Sequence, residues 1–166
     1  MESIQLRPML DSDWPRVKEI YESRIATGIA TFEQSAPAWE KWNSSHLQIG
    51  RFVAEEGERV IGWIALTPVS TRCVYGGVAD VSIYIDPAAR KKGVGLRLME
   101  QAIADSEKNG LWTLQSEIIS ENTASIRLHE KAGFRMIGYR EKVAQQKGVW
   151  KNNVLMERRS KVVGVE

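Results

Sequence analysis

The sequence predicts one α+β (mixed α/β) domain layered around a single central sheet. Three observations carry that prediction. The hydrophobic period switches between two and about 3.6 along the chain, in the order strand, two helices, three strands, helix, strand, helix, two strands. A strand over 78–85, a helix from 94 and a strand over 111–118 make a βαβ unit, whose two strands run parallel. The length of 166 residues, 43% hydrophobic and 27% charged, suits one globular core, and no repeat, low-complexity stretch or linker divides it.

Taken in order, residues 4–7 alternate as a short strand. Asp11, Ser12 and Asp13 offer N-caps and Pro15 suits a first helical turn; Trp14, Val17, Ile20, Tyr21 and Ile25 then keep helical spacing to about residue 26. Residues 27–36 read as a loop, and a second helix starts at Pro37 with Trp39, Trp42 and Leu47 apolar. Strands over 51–55 and 59–69 flank a Glu56-Gly57-Glu58 turn, as in a hairpin. A loop over 70–77 leads into the βαβ unit, whose helix ends at Asn109-Gly110, a left-handed cap. A short helix over 123–132 is capped by Gly133. Two strands, 134–142 and 149–158, pair antiparallel through a turn at Lys147-Gly148. The domain spans 1–158, and 159–166 is a C-terminal tail, disordered or docked on a partner subunit.

A net charge of +2 is too small for nucleic-acid or membrane binding by field alone. One cysteine, Cys73, excludes an internal disulfide and a cysteine metal site, and His46 and His129 lie far apart, so no metal is expected. No apolar leader or span of transmembrane length is visible, which places the protein in the cytoplasm. The positive charge is local. Arg90-Lys91-Lys92-Gly93-Val94-Gly95 joins the strand VADVSIYID to a helix. The first amides of a helix lack internal partners, the macrodipole adds positive potential, and glycine lets backbone approach an oxygen, so this turn is built to hold an anion. It is not a Walker loop, and Leu98 stands where a dinucleotide fingerprint needs its third glycine.

Arg-x-x-Gly-x-Gly after that strand resembles the acetyl-CoA loop of the GNAT superfamily of N-acetyltransferases. Asn122 and the run Ala124-Ser125-Ile126-Arg127-Leu128-His129-Glu130-Lys131-Ala132-Gly133-Phe134 resemble the family's Asn and Ala-x-x-Leu-Tyr-Glu-Lys-x-Gly-Phe, and the element order matches along nearly the whole chain. Ile20-Tyr21, residues 30–33 and 79–85, Leu128-His129-Glu130 and Gly148-x-Trp150 are similar to the phosphinothricin and methionine sulfoximine acetyltransferase subfamily. Two positions depart from it: Asp80 replaces Glu, and Lys151-Asn152 replace a hydrophobic residue and Asp. The resemblance implies a mostly antiparallel sheet of about seven strands with helices on both faces and a splayed parallel pair at strands four and five. It also implies a homodimer that uses acetyl-CoA to acetylate a small amino-acid-like amine. A polyamine, an aminoglycoside, a protein N-terminus or a non-catalytic acyl-CoA-binding module remain the alternatives.

Acetyl transfer needs the cofactor held, the amine deprotonated and the thiolate protonated. The amides of residues 91–96, with Arg90, Lys91, Lys92, Gly93, Val94 and Gly95, fit the diphosphate. The resemblance implies that the backbone of Ser82, Ile83 and Tyr84 pairs with the pantetheine arm. Two roles fit Asn122, a side-chain contact to the arm and an N-cap; two fit Lys131, a phosphate contact and an exposed surface lysine. Asp80 is the first candidate base and Glu33 the second, either alternatively pairing with an arginine. His129 replaces the family's Tyr and fits acid–base work or a satisfied buried histidine. For the substrate side, Phe32, Trp63, Tyr75 and Trp150 offer an aromatic wall or ordinary core packing. Arg72 fits a carboxylate, and Cys73, Val74, Ala79, Asp80 and Val81 lie beside it on the same loop and strand.

Overall fold

A computed structural model describes residues 2–166. Among them the chain forms β1 (Ile4–Pro8), α1 (Trp14–Ile25), α2 (Trp39–Ser45), β2 (Phe52–Glu56), β3 (Arg59–Pro68), β4 (Val78–Ile85), α3 (Val94–Lys108), β5 (Thr113–Ile119), α4 (Thr123–Lys131), β6 (Arg135–Gln146) and β7 (Val149–Arg159). The strands form one sheet in the order β1-β2-β3-β4-β5-β7-β6. Every neighbouring pair is antiparallel except β4 and β5, which are parallel. The expected architecture is therefore the observed one. Among the described residues no helix is long and apolar enough to cross a membrane.

β3 explains the fold's two cores. Its apolar run is too continuous for a strand with one wet face. Trp63 and Ala65 face one side with Val17, Ile20 and Tyr21 of α1 and Trp42 of α2. Ile64 and Leu66 face the other, against Val94, Leu98, Met99 and Ala102 of α3. The i, i+4, i+5, i+8 spacing on α3 is what puts those four side chains on one stripe. Burying a side chain such as Leu66 or Ile64 contributes roughly 2 kcal/mol.

Some boundaries differ from the expected ones. α2 starts at Trp39, with Ala38 extended before it, and Leu47 lies beyond its end. Leu111 and Trp112 precede β5 because their amides bond back to Ser106 and Gly77. β6 runs on to Gln146 through two irregularities, between Met136 and Gly138 and between Arg140 and Ala144. Residues 160–166 fold back on the chain. The Ser160 amide donates to the Trp112 carbonyl at 2.7 Å, and the Arg159 guanidinium donates to the carbonyls of Val163 and Gly164 at 2.7 and 2.6 Å.

One buried carboxylate pins the end of β4. Asp86 accepts from the Ala88 amide at 3.0 Å, from Arg59 at 3.1 Å and from Arg16 of α1. Burial pushes its pKa up, but the amide and the two guanidinium groups outweigh that and hold it below the ordinary carboxylate range. The turn that follows thus leaves from a fixed point.

Candidate active site

The parallel pair is short. β4 and β5 match only at Val78–Thr113, Ala79–Leu114 and Asp80–Gln115. Beyond that rung β4 stays with β3 and β5 stays with β7, so the two strands part. A cleft of about 580 Å³ opens between them. Residues 81–85 and 116–118 form its walls, the turn and the start of α3 its far end, and α4 its flank. From Val81 onward the β4 edge that faces the cleft has no strand partner, so its amides and carbonyls can take an extended ligand arm.

The turn is shaped for an anion. Arg90 is extended, while Lys91 and Gly93 are left-handed at φ 63° and 75°. Such alternation points successive amides into one concavity. The first helical bond of α3 runs from Arg97 to Gly93 at 3.3 Å, which leaves the amides of Val94, Gly95 and Leu96 without helical acceptors. A left-handed lysine costs on the order of 1–2 kcal/mol, strain of the kind stored at binding loops. The two glycines serve different ends. A Cβ at Gly93 would meet nothing within 4 Å, so conformation is what requires glycine there. A Cβ at Gly95 would come within 3.0 Å of the Leu128 side chain, so its smallness lets α3 approach α4.

Arg90, Lys91 and Lys131 line the cleft, as expected of cofactor contacts. The Lys92 side chain does not; it is drawn to Glu56 of β2 at 2.9 Å and leaves only its amide to the turn. Asn122 lines the cleft and also caps α4, its side-chain oxygen accepting from the Ser125 amide at 3.3 Å. Its two roles are compatible, because the cap uses the oxygen and leaves the side-chain NH₂.

Asp80 stands at the last paired rung, where the strands part. Its carboxylate accepts from the Gln115 side chain at 2.9 Å. Burial pushes its pKa up, the Gln115 bond opposes this, and the charge of Glu117 adds to the rise. Strand alternation puts Asp80, Ser82 and Tyr84 on one face. His129 is 2% exposed and engaged at both nitrogens. Assigned by its partners, Nδ1–H donates to the Ser125 carbonyl at 2.7 Å and Nε2 accepts from the Ser116 hydroxyl at 2.8 Å. Burial lowers its pKa and keeps it neutral. That is the satisfied, buried arrangement, and it ties α4 to the β5 wall. Tyr84 packs on Tyr21 at 4.8 Å and Trp63 at 5.0 Å, and burial pushes its hydroxyl far above its ordinary pKa.

A second cavity of about 460 Å³ adjoins the cleft on the α1–α2 side, sharing Ser82 and Tyr84 with it. Tyr21, Thr31, Glu33, Lys41, His46 and Thr67 line it, so Glu33 faces this second cavity and does not line the cleft. The tip of β6 braces this loop, Gln146 donating to the Thr31 carbonyl at 3.0 Å. The expected substrate wall is not brought together. Trp63, 1% exposed, does line the second cavity from the core side, while Tyr75 and Trp150 are 48% and 57% exposed and line neither cavity. Arg72 stacks over Tyr75 at 5.6 Å on an exposed loop with Cys73 and Val74, away from both cavities. Ala79 is fully buried, Phe32 and Asp80 are half-buried with neither lining a cavity, and Val81 alone of that set lines the cleft. Motif reading missed Arg24, Ser116, Lys41 and His46. Arg24 did carry a signal: it is the i+7 position after Val17 on the buried stripe of α1, where an arginine is out of place.

Comparison with known proteins agrees with this geometry. The model of the acetyltransferase (GNAT) family matches residues 9–134. A phosphinothricin N-acetyltransferase of Alcaligenes faecalis is 31% identical over 92% of this chain and 81% of its own. An L-methionine sulfoximine/L-methionine sulfone acetyltransferase of Salmonella typhimurium is 29% identical, with 88% of each chain covered. The crystal structure of a phosphinothricin acetyltransferase from Sinorhizobium meliloti, in complex with AcCoA, superposes with a TM-score of 0.89 at 26% identity, covering 98% of this chain and 91% of that one.

Proposed function

The chain belongs to the acetyltransferase (GNAT) family, and we propose that it moves the acetyl group of acetyl-CoA directly to the amino group of a small amino-acid-like acceptor such as phosphinothricin or methionine sulfoximine. The observation that carries this reading is the parting of β4 and β5 beside an amide-lined anion turn. The residues fit the coenzyme: the concavity of 91–96 suits a diphosphate, and the unpaired β4 edge suits a pantetheine arm. The bound coenzyme would supply an acyl thioester.

The chain's residues would do the rest. An α-amino group titrates near ~8 and arrives mostly as ammonium at neutral pH. Asp80, a carboxylate whose burial raises its proton affinity, takes that proton at the fork. Glu33 holds the ammonium on the neighbouring cavity's wall until then. The freed nitrogen would form the C–N bond as the C–S bond breaks, and it then gives up its one surplus proton. The departing thiolate, whose thiol has a pKa near ~8.5, takes that proton through solvent. His129 acts as a positioning residue, fixing the Ser116 wall against α4.

The protein would work in the cytoplasm as a homodimer. Support for the dimer comes from the β6–β7 hairpin, along which Met136, Ile137, Tyr139, Val143, Val149 and Trp150 are exposed apolar side chains. Light scattering on the purified protein should give twice the chain mass; a monomer at micromolar concentration would contradict it. The activity is tested by coenzyme-thiol release over an amine panel, with mass spectrometry of products. Release should depend on methionine sulfoximine or phosphinothricin, each gaining one acetyl group. Acetyl-CoA binding without transfer to any amine would make the protein a binding module instead.

A further inference from the structure

Arg24 is the arginine whose position the fold leaves unexplained. It occupies the last turn of α1, half-buried, on the stripe that Val17, Ile20 and Tyr21 bury in the core. Other arginines of the fold have acids to meet. Arg7 holds Asp13 and Glu55, and Arg16 and Arg59 share Asp86. Among the described residues Arg24 has no carboxylate partner. What acts on its charge is burial first and then the like charge of Arg90, both unfavourable, with Tyr84 opposing them. A half-buried guanidinium keeps its charge, and beside a second cation that charge is destabilising until an anion joins the two.

Its surroundings name the anion. Arg24 lines the cleft together with Arg90, Lys91 and Gly93, from the α1 face of the sheet, opposite the face on which α3 packs. It stands by Tyr84 and Arg90, at the turn end of β4, and not at the Asp80 fork where an acceptor amine must react. A guanidinium binds paired phosphate oxygens with two parallel N–H bonds, which main-chain amides on one side of a diphosphate cannot supply from the other.

We infer that Arg24 reaches across the cleft to the diphosphate of bound coenzyme A, so that α1 and the 90–95 turn grip it from opposite sides. This rests on the proposed acetyl-CoA reading and adds a contact that the Arg-x-x-Gly-x-Gly motif does not contain. It also makes the order of events simple: without coenzyme, Arg24 and Arg90 repel across the cleft, and the ligand removes that repulsion.

The test is Arg24→Met, which keeps the long apolar stem and deletes the fork. Calorimetry is run with coenzyme A and with dephospho-coenzyme A, which keeps the diphosphate and lacks the 3′-phosphate. Competition is run with S-acetylpantetheine, which lacks both. Loss of a charge-assisted contact should weaken the first two by about ten- to a hundredfold and leave the third unchanged. The melting temperature of the ligand-free variant should equal or exceed the parent's, because an uncompensated charge is gone. Coenzyme affinity within threefold of the parent's would overturn the inference. So would equal weakening of all three ligands with a lower melting temperature, which is what a merely structural arginine gives. Weakening confined to coenzyme A would assign Arg24 to the 3′-phosphate and overturn it too. A parent protein that binds no coenzyme at all would instead remove the acetyl-CoA reading beneath it.

Discussion

The two cavities that meet at Ser82 and Tyr84 are built by different means. The cleft offers main chain: the amides of the 91–96 turn and one unpaired strand edge. The neighbouring cavity offers side chains from several separate segments, including Tyr21, Glu33, Lys41, His46 and Thr67. A backbone-built site depends on conformation and tolerates change in most side chains. A side-chain-built site changes specificity with each substitution. The coenzyme half should therefore be the robust half of this protein and the acceptor half the adjustable one.

The sharpest break in that contrast is Asp80→Asn at the fork. Turnover should fall about 10²- to 10⁴-fold while calorimetric affinity for acetyl-CoA stays the same. Burial and Glu117 raise the Asp80 pKa, so the acid limb of the parent's pH–rate profile should lie above the ordinary carboxylate range. Activity falls as pH drops through that value, since the base must be unprotonated. If the variant keeps the parent's rate and the same limb, Asp80 is not the base.

Next in size is Gly95→Leu, which drives a side chain into Leu128. Chemical denaturation should show a loss of about 1–3 kcal/mol, with coenzyme affinity falling as well. Gly93→Ala touches nothing and tests conformation alone; a left-handed alanine should cost about 1–2 kcal/mol, read as roughly five- to thirtyfold weaker coenzyme binding. Equal affinities in both variants and the parent would show that the turn does not hold the coenzyme. On the other side, Glu33→Gln should raise the acceptor KM about tenfold and leave acetyl-CoA binding alone.

The pH dependence of stability sharpens the role of His129. Its folded pKa lies below the unfolded value of about 6.5, so the unfolded chain binds more protons. The stabilisation is complete above that unfolded value and is lost as pH falls toward the folded one. Melting temperature should decline on acidification below about 6.5, and less steeply in His129→Gln. The smallest effect belongs to Lys92→Ala. Its ammonium is committed to Glu56 at the surface, so stability should change by under about 0.5 kcal/mol and coenzyme affinity by under about twofold.

What could be read from the chain follows the same division. The period change at 78–106 and the Gly93–Gly95 spacing are local, and they located the cleft's far end. The apolar run of β3 is equally local, but only a hairpin strand was expected there; that it is covered on both faces came from the structure. Side-chain destinations were not local. Lys92 shares its tripeptide with Arg90 and Lys91, yet Glu56, 36 residues away, takes its charge. Arg72 had the right chemistry for a carboxylate, but its loop stays out on the surface beside Tyr75. The tail after Arg159 read as disordered or docked on a partner subunit because nothing nearby in sequence shows the Trp112 carbonyl that receives Ser160. Arg24 was legible in principle, as a charge on a buried stripe.

Whether the turn and the β4 edge hold the coenzyme is decided by amide chemical shifts in an ¹⁵N-labelled sample titrated with coenzyme A. The largest changes should fall at residues 91–96 and 81–84, with small ones at 72–75 and at Lys41. Large shifts confined to the 72–75 loop, or none at the 91–96 turn, would contradict it.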